Sequence, residues 1–200
     1  MKNGVRAQQK EQTKQALIRE GRRLFATLGY NAVGLSEIVS AAGVTKGALY
    51  HHFDSKVSLF RAVLEQVQRE VAERIAANAD AEADPWSRLT TGCEAFLDAT
   101  ADPDIQRIML IDGPAVLGWE AWRTIDEEAS VQHLTHALSE LMESGAIRKQ
   151  PLVPLTHLLS GAMNEAALWL AQTPDPQSLA ETKAVLRQIL EGLRVKEPVG

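Results

Sequence analysis

The sequence predicts an all-α protein in which an N-terminal three-helix unit with a helix-turn-helix precedes a larger C-terminal helical bundle, with about nine helices in total. Apolar residues recur every three to four positions through most of the 200 residues, and no segment shows the alternation of a half-buried strand. All eight prolines lie at or beyond position 85, where they mark the ends of predicted helices.

Two helices are predicted in the first forty or so residues by their spacing and their glycines. A stripe of leucines with helical spacing covers about residues 13–28, and Gly29 ends this helix. After a short loop, a second helix covers residues 36–42. Gly43 ends it, because glycine readily adopts the left-handed conformation found at helix ends.

A third helix begins directly after this turn. Thr45 is placed to cap it, because a threonine oxygen accepts a backbone N–H of the first turn. Two helices joined by a tight glycine turn form the minimal unit that inserts a helix into the major groove of DNA. Leu49 fixes the inward face, and the outward face carries hydrogen-bond donors and one position without a side chain: Lys46, Gly47, Tyr50 and His51.

The formal charge is divided unevenly along the chain. Residues 1–56 carry nine basic and four acidic side chains, a net of 9 − 4 = +5. Because the whole chain carries −5, the remaining residues carry −5 − 5 = −10. A basic N-terminal unit on an acidic body favours a polyanion partner at that end. A solvated basic face without a partner is the alternative.

The turn lies within a longer motif that consists of Leu24-Phe25, Gly29-Tyr30, Ala42 to Phe53, Ser55-Lys56 and Leu59-Phe60. This pattern resembles the N-terminal domain of the tetracycline-repressor (TetR) family of bacterial regulators. The resemblance covers about a quarter of the chain. It implies a DNA-binding domain over residues 1–55, with a basic arm at 1–12, and a helical ligand-binding and dimerisation domain over residues 56–200.

The resemblance also implies which side chains meet DNA. By this resemblance, DNA phosphates are contacted by Thr45, Tyr50, His51 and Lys56. Base edges in the major groove are approached by Lys46 and Gly47.

One departure from the family pattern concerns the start of the second helix. A Thr or Ser that caps this helix and touches phosphate is usual in the family, whereas this chain has Val33 and Gly34. Gly34 can cap the helix but offers no side-chain oxygen. We expect Ser36 to substitute in part and the basic arm, from Lys2 to Lys14, to compensate.

The remainder of the chain is predicted to be helical. Asp112-Gly113-Pro114 is interpreted as a turn that breaks a helix, with a pocket-lining Asp112 as the weaker interpretation. Pro174 and Pro176 separate the last two helices. The predicted helices are 55–78, 85–101, 103–111, 118–144, 154–172 and 176–194.

The C-terminal bundle is predicted to enclose an apolar pocket with a few polar groups. For any single one of its aromatic and methionine residues, however, ordinary core is favoured over contact with a ligand. Asn164 stands inside an apolar helix, where a buried amide needs partners, so it either binds an effector or bonds a neighbouring helix. The candidate pocket residues are Met109, Trp119, Trp122, His133, Asn164 and Trp169.

The last two helices are predicted to form a homodimer interface. Small residues there allow close approach of helices, and in the resembled family the equivalent pair forms a two-fold four-helix interface. A dimer places two recognition helices about one turn of DNA apart, so the operator is expected to be an inverted repeat. The candidate interface residues are Leu158, Ala162, Ala166, Leu179, Leu186 and Ile189.

Several other site types are disfavoured by the sequence. The single Cys93 excludes an intramolecular disulfide and favours a buried structural thiol over a redox sensor. His133 and His136 are three apart, but no Cys, Glu or Asp is spaced with them as in an established metal site, so no metal and no cofactor are predicted. No apolar run approaches the length of a membrane span, and the N-terminus lacks a signal-peptide pattern, so we expect a cytoplasmic protein.

These observations predict a sequence-specific DNA-binding transcriptional regulator and not an enzyme. The favoured mechanism is a repressor that a small-molecule effector, bound in the C-terminal bundle, releases from its operator. A DNA-binding activator or architectural protein without a ligand is the alternative. An all-helical enzyme is a remote one, since no nucleophile elbow, di-metal pattern or phosphate-binding glycine loop is present.

Overall fold

A computed structural model describes residues 2–173 and 175–195 of the chain. Within these ranges the chain is helical, apart from turns and an isolated antiparallel bridge between Ile147 and Arg194. The all-α prediction is therefore confirmed. The helices are α1 (Lys2–Leu28), α2 (Leu35–Ala41), α3 (Lys46–His52), α4 (Lys56–Asp80), α5 (Pro85–Thr100), α6 (103–117), α7 (119–143), α8 (Leu152–Gln172) and α9 (Pro176–Glu191).

Two of these helices contain π-helical turns. In α6 the segment Gln106–Asp112 is π-helical, between the α-helical Pro103–Ile105 and Gly113–Leu117. In α7 the segment Glu127–Val131 interrupts the α-helix in the same way. Turns of this kind are rare and are frequently found at functional sites.

The first helix is longer than the sequence analysis predicted. It begins at Lys2, whereas the expected start was residue 13. Residues 6–12 are exposed, so burial does not stabilise this part of the helix. Good helix formers dominate it, and the side-chain amide of Gln15 donates to Glu11 at 2.7 Å across one turn. The basic arm is therefore helical.

The predicted break at Asp112-Gly113-Pro114 is wrong. The chain stays helical through these residues, and α6 ends at Gly118, whose φ of +80° suits glycine. Proline removes a backbone donor and crowds the carbonyl four residues earlier. The wider π-helical turns directly before Pro114 change this hydrogen-bond register and accommodate the ring. Pro174, the other predicted boundary, lies outside the described residues.

The chain divides into two compact units, 1–67 with 107–123, and 68–106 with 124–200. Residues 107–123 belong to the second domain in the division predicted from the sequence, at residues 55 and 56, whereas here they join the first unit. Three helices, α4, α6 and α7, each contribute residues to both units. No described helix combines the length and apolarity that crossing a membrane requires.

An aromatic cluster anchors the core of the first unit. The ring of Phe60 meets Phe25 and Tyr30 edge-on, with centroids 5.3 and 5.1 Å apart. A Cβ at Gly21 would lie only 3.5 Å from Val63, so α1 and α4 approach closely there. These contacts hold α1 against α4 and form a base for α2 and α3. The core also includes Leu17, Leu24, Val33, Ile38, Leu49, Leu59 and Leu64.

The second unit is organised around α5, which packs against α7, α8 and α9. Asp84 caps α5 by accepting the backbone N–H of Ser87 at 2.8 Å, and Pro85 occupies the first turn as predicted. Ion pairs cross the surface between α5 and α9, where Arg187 meets Glu94 and Lys183 meets Asp98. The buried core includes Leu89, Phe96, Leu97, Leu138, Leu141, Leu159, Leu186 and Leu190.

Candidate DNA-binding surface and ligand cavity

Local signals fix the position of α3 in the first unit. Gly43 has φ +64°, which turns the chain out of α2. Thr45 then caps α3, as predicted, because its hydroxyl oxygen accepts the Ala48 N–H at 3.1 Å. Leu49 is fully buried and Phe53 is nearly so. The helix is therefore held by its cap and by one apolar face.

The opposite face of α3 is open to solvent. Lys46, Gly47, Tyr50 and His51 are all exposed, as is Thr45 at the cap. Tyr50 keeps 48% of its surface accessible although it is a large aromatic residue. A lysine ammonium, a phenol and an imidazole on one short helix present donors of the kind that bind phosphate oxygens and base edges.

The start of α2 matches the predicted departure. Gly34 is the N-cap residue and makes no side-chain cap hydrogen bond. Val33 is 1% exposed and belongs to the core, so it offers nothing to a partner. Ser36 is exposed in the first turn of α2. This edge of the surface therefore presents one hydroxyl, on Ser36, where the family pattern has an additional one.

Lys56 faces inward instead of standing free on the surface. Its ammonium donates to the carbonyl oxygens of Tyr30 and Val33, each at 2.9 Å, and lies 4.1 Å from the centroid of the Tyr30 ring. Hydrogen bonds from a charged donor and a cation–π contact are among the stronger polar interactions. Lys56 therefore fixes the loop between α1 and α2, a role that sequence analysis missed.

The same loop is held from another side by α6. The backbone N–H of Tyr30 donates to Asp112 Oδ2 at 2.9 Å, and Arg107 Nε lies 3.8 Å from that oxygen. Gly29 has φ +83°, and a Cβ there would stand 2.6 Å from the Arg107 guanidinium. Asp112 and Arg107 both belong to the π-helical segment of α6. The Asp112-Gly113-Pro114 sequence was the only local sign of this contact.

His52 lies on the half-buried side of α3. Burial lowers the pKa of its imidazole below the ordinary value, and the positive charges of His51, Lys10 and Lys14 lower it further. The adjacent ring of His51 stands 5.5 Å away and is exposed. Only one of the two neighbouring histidines is therefore presented to a partner.

The second unit contains a cavity of about 260 Å³. It is lined by α4, α5, α7 and α8, and its apolar walls include Leu89, Cys93, Phe96, Val131 and Met163. This volume is slightly below the range typical of ligand pockets, about 300 to 1,000 Å³. The site therefore suits a small molecule.

Polar groups line the cavity at two depths. Asp126, Ser160 and Asn164 are 2%, 6% and 8% exposed, and they form its floor. His133 and His136 are exposed and lie at its mouth. The π-helical segment of α7 begins directly after Asp126.

Asn164 makes one long hydrogen bond, from its Nδ2 to Asp126 Oδ2 at 3.5 Å. Its Oδ1 is buried and has no hydrogen-bond partner among the described residues. A buried acceptor without a donor costs about 1–3 kcal/mol. The amide of Asn164 therefore bonds α7 through its nitrogen, while its oxygen has no partner among the described residues, so the two hypotheses for Asn164 do not exclude each other.

The six predicted pocket residues do not come together. His133 and Asn164 line the cavity, whereas the other four are not among its lining residues. Met109 is fully buried in the first unit, and its carbonyl accepts the Trp122 indole N–H at 2.7 Å. Trp119 and Trp169 are 64% and 48% exposed. The cavity walls that were not predicted come from α4 and α5. In the sequence, an apolar residue that lines a cavity cannot be distinguished from one that fills the core.

Cys93 is a buried thiol in the cavity wall. Burial, with a smaller effect from the charge of Glu94, raises the pKa of Cys93 to about 12. The side chain is therefore a neutral thiol at physiological pH and acts as a small apolar group.

The outer face of α8 carries an exposed apolar stripe. Leu158 and Trp169 are 72% and 48% exposed, and Ala162 between them is exposed at the same helical face. On α9, Ile189 is 52% exposed, and Val185, one helical turn earlier, is 54% exposed. The other predicted interface residues are less accessible: Ala166 and Leu179 are half-buried, and Leu186 is 7% exposed.

Family models match both parts of the chain. Residues 17–63 match the model described as bacterial regulatory proteins, tetR family. Residues 86–193, more than half of the chain, match the tetracyclin repressor-like C-terminal domain.

Individual relatives extend over nearly the full length. The transposon Tn10 TetC protein of Escherichia coli is 29% identical over 180 residues, 90% of this chain and 89% of that protein. An HTH-type transcriptional repressor of Mycobacterium tuberculosis is 30% identical over 172 residues, 80% and 82% of the two chains. The crystal structure of a TetR-family transcriptional regulator from Pectobacterium atrosepticum has a TM-score of 0.80 at 34% identity and covers 94% of this chain and 97% of its own.

Proposed function

The chain belongs to the TetR family of bacterial regulatory proteins, and on this basis we propose that it is a homodimeric repressor released from inverted-repeat DNA by a small-molecule effector. That it is a helix-turn-helix transcriptional regulator follows from the family. Repression, the dimer and the effector are the finer steps; a relative named as a repressor supports the first, and separate features of the chain support the other two.

The observation that carries the DNA-binding part is the open face of α3. Lys46, Tyr50 and His51 stand exposed on a helix that is fixed from behind by Leu49 and at its start by Thr45. A recognition helix needs this combination, because its donors must reach base edges and phosphates without loss of the helix position.

The exposed apolar stripe supports the dimer. Leu158 and Ile189 are more than half exposed although each is a large aliphatic residue, and covering such a face removes it from water. One recognition helix reads too few base pairs for high specificity, whereas a two-fold dimer reads two half-sites. The expected operator is therefore an inverted repeat.

Release by an effector requires a link between cavity and α3, and α4 supplies one. Ile75, Ala76 and Ala79 near its C-terminal end line the cavity. Lys56 at its first position holds the loop before α2. A ligand that favours one position of α4 shifts the population of DNA-binding states by its differential affinity for them.

The test starts from DNA selected from a random pool by the full-length protein. Binding to the selected duplex should weaken steeply as salt rises, because phosphate contacts release counterions. Tyr50→Ala should weaken it by roughly 10-fold or more, the effect of one lost charge-assisted hydrogen bond. Val195→Ala, an exposed apolar residue of the second unit, serves as the control and should leave binding unchanged.

Two outcomes would overturn the proposal. If no duplex is enriched, or if binding does not depend on salt, the DNA-binding part fails. A reporter gene behind the selected site separates repressor from activator: deletion of the regulator should raise expression for a repressor and lower it for an activator.

A further inference from the structure

We propose that the first turns of α1 extend the DNA-binding surface beyond α3, with Arg6, Lys10 and Lys14 bound to phosphates that flank the bases read by α3. This inference rests on the proposed function, since it names a second contact of the first unit with the same DNA. Three features support it: the spacing of these cations, their exposure without acidic partners, and their position beside α3.

The three cations form one stripe along α1. They stand four residues apart on a continuous helix that begins at Lys2. A helix turns about 100° per residue, so each side chain of the stripe is rotated only about 40° from the one before it. The rise over four residues is about 6 Å. The helix therefore presents three positive groups about 6 Å apart along one line.

These cations have no acidic partner. Arg6 and Lys10 are exposed and Lys14 is half-buried, and none of them forms an ion pair with a residue that the structure describes. On the other side of the same helix, Arg19 and Arg23 both pair with Glu20. Like charges four residues apart repel each other and weaken a helix. A row of anions along the stripe would compensate this repulsion.

The stripe lies beside the recognition helix, because α1 packs against α3. Burial lowers the pKa of His52, the last residue of α3, and the charges of Lys10 and Lys14 are among those that lower it further, so both lysines are near its imidazole. Glu11 has a smaller, opposite effect. The ring of His51, 5.5 Å from that of His52, belongs to the open face of α3. The stripe and this open face therefore adjoin at the two histidines.

A surface that continues the open face of α3 meets the same partner. Three cations in line without acidic partners suit a polyanion, and the proposed partner of α3 is duplex DNA. The stripe is about 12 Å long, whereas the phosphates of one DNA strand follow each other every 3.4 Å or so along the axis, so it can reach several of them. Phosphate contacts carry no direct sequence information. The stripe should therefore raise affinity without changing the preferred sequence.

The experiment measures the salt dependence of binding by the full-length protein to the selected duplex. In the triple variant Arg6→Gln/Lys10→Gln/Lys14→Gln, the slope of log affinity against log salt should fall by about 2.7, because each neutralised phosphate contributes about 0.9. Glutamine is as good a helix former as lysine and arginine, so α1 should persist. Circular dichroism and urea unfolding check this.

Single variants provide a matched control. Lys10→Gln should lower the slope by about 0.9, whereas Arg19→Gln should leave it unchanged. Both substitutions remove one positive charge from an exposed position of α1, but Arg19 points about 180° away from Lys10. If the triple variant fails to fold, this pair still decides the question.

Ethylation interference locates the contact on the DNA. With the natural protein, ethylation of phosphates that flank the bases read by α3 should reduce binding, and the triple variant should lose this effect at those phosphates alone. The sequence selected from a random pool should be the same for both proteins. In the absence of DNA, the pKa of His52 followed by NMR should rise in Lys10→Gln/Lys14→Gln, because two nearby positive charges are removed.

The failure of this inference differs from failure of the proposed function. An undiminished salt slope in the triple variant, or an unchanged interference pattern, overturns the phosphate contact by α1 while DNA binding through α3 stands. A changed selected sequence would assign the stripe to base edges and also overturns it. Absence of salt-dependent DNA binding in the natural protein overturns the proposed function instead.

Discussion

In the first unit, the groups proposed to bind DNA stand exposed on α3, and the residues that hold them lie behind it in the core. In the second unit, the polar groups proposed to bind a ligand are themselves buried, at the floor of a cavity. The exposed donors of α3 are satisfied by water until DNA replaces it. The Asn164 oxygen is buried and has no hydrogen-bond partner among the described residues, so a donor from a ligand would remove an energetic cost there.

This difference predicts which property a substitution in each unit should alter. A substitution on the open face of α3 should alter DNA affinity with little effect on stability, because those side chains pack against little. Substitutions at the loop contacts of Lys56 and Asp112 should do the reverse. In the second unit, surface changes should act through assembly and buried ones through ligand binding.

The largest effect is expected from breaking the proposed dimer. Leu158→Asp places a charge on a residue that is 72% exposed in the single chain, so the chain should still fold. A charge buried in an apolar interface is costly, and the dimer should dissociate. Loss of the second half-site contact should reduce DNA affinity by about 10²–10⁴-fold.

Light scattering measures the mass, and fluorescence anisotropy with the selected duplex measures the affinity. Val153→Asp is the matched control, since Val153 is 62% exposed on the same helix but points about 140° away from Leu158. If Leu158→Asp remains a dimer, the stripe is not the interface, and the claim that surface changes in this unit act through assembly fails.

Two lysines of the first unit test the distinction between a residue that contacts DNA and a residue that holds the loop before α2. Lys56→Met should reduce the free energy of unfolding by about 2–3 kcal/mol, because it removes two hydrogen bonds from a charged donor. Lys46→Met should leave stability unchanged and lower the slope of log affinity against log salt by about 1.

Urea unfolding and a salt titration of DNA binding give the two quantities for each variant. The opposite pattern, with a reduced salt slope for Lys56→Met at unchanged stability, would assign Lys56 to phosphate contact, as the family resemblance implies.

A smaller effect is expected at the α6 contact. Asp112→Ala leaves the half-buried Tyr30 N–H without its acceptor, which should cost about 1–2 kcal/mol of stability. In a chain of this size, each kcal/mol corresponds to about 2–4 °C in melting temperature. Asp112→Asn keeps an acceptor oxygen and should recover most of the loss. Equal melting temperatures for Ala and Asn variants would mean that the hydrogen bond does not support the loop.

The first unit could be predicted in detail because its determinants are local. Gly43 ends α2, Thr45 caps α3 and Leu49 sets the buried face, and each of these follows from one residue and its immediate neighbours. The loop contacts of Lys56 were not predicted for the same reason. Its partners, Tyr30 and Val33, lie more than twenty residues earlier, and no local pattern indicates that pairing.

The cavity could not be predicted to the same degree. Its floor joins Asp126 to Asn164, which are 38 residues apart, and its wall comes from α4 and α5. The tryptophans in the sequence indicate apolar surface but do not indicate whether that surface lines the cavity. Trp122, for example, donates its indole N–H to the Met109 carbonyl within the first unit. Of the floor residues, Asn164 was the one that the sequence indicated, because an amide inside an apolar helix requires a partner.

The smallest effect is expected at Cys93, and it tests whether water reaches the cavity wall in the folded protein. Burial raises the pKa of Cys93 to about 12, above its ordinary value of 9.0, so the folded state keeps the thiol protonated where the unfolded chain loses the proton. Stability from this group is therefore complete below pH 9 and is lost as pH rises from 9 towards 12. By pH 10 the loss should be about 1 kcal/mol relative to neutral pH.

Urea unfolding between pH 7 and 10.5 should show this decline in the natural protein, and a smaller one in Cys93→Ala, which has no thiol to titrate. Cys93→Ala also lowers the free energy of unfolding by a packing cost that does not depend on pH. The test is therefore how the difference between the two proteins changes with pH. Parallel curves would mean that water reaches the thiol in the folded state. The cavity would then be hydrated, and the unpaired oxygen of Asn164 would have a partner before any ligand arrives.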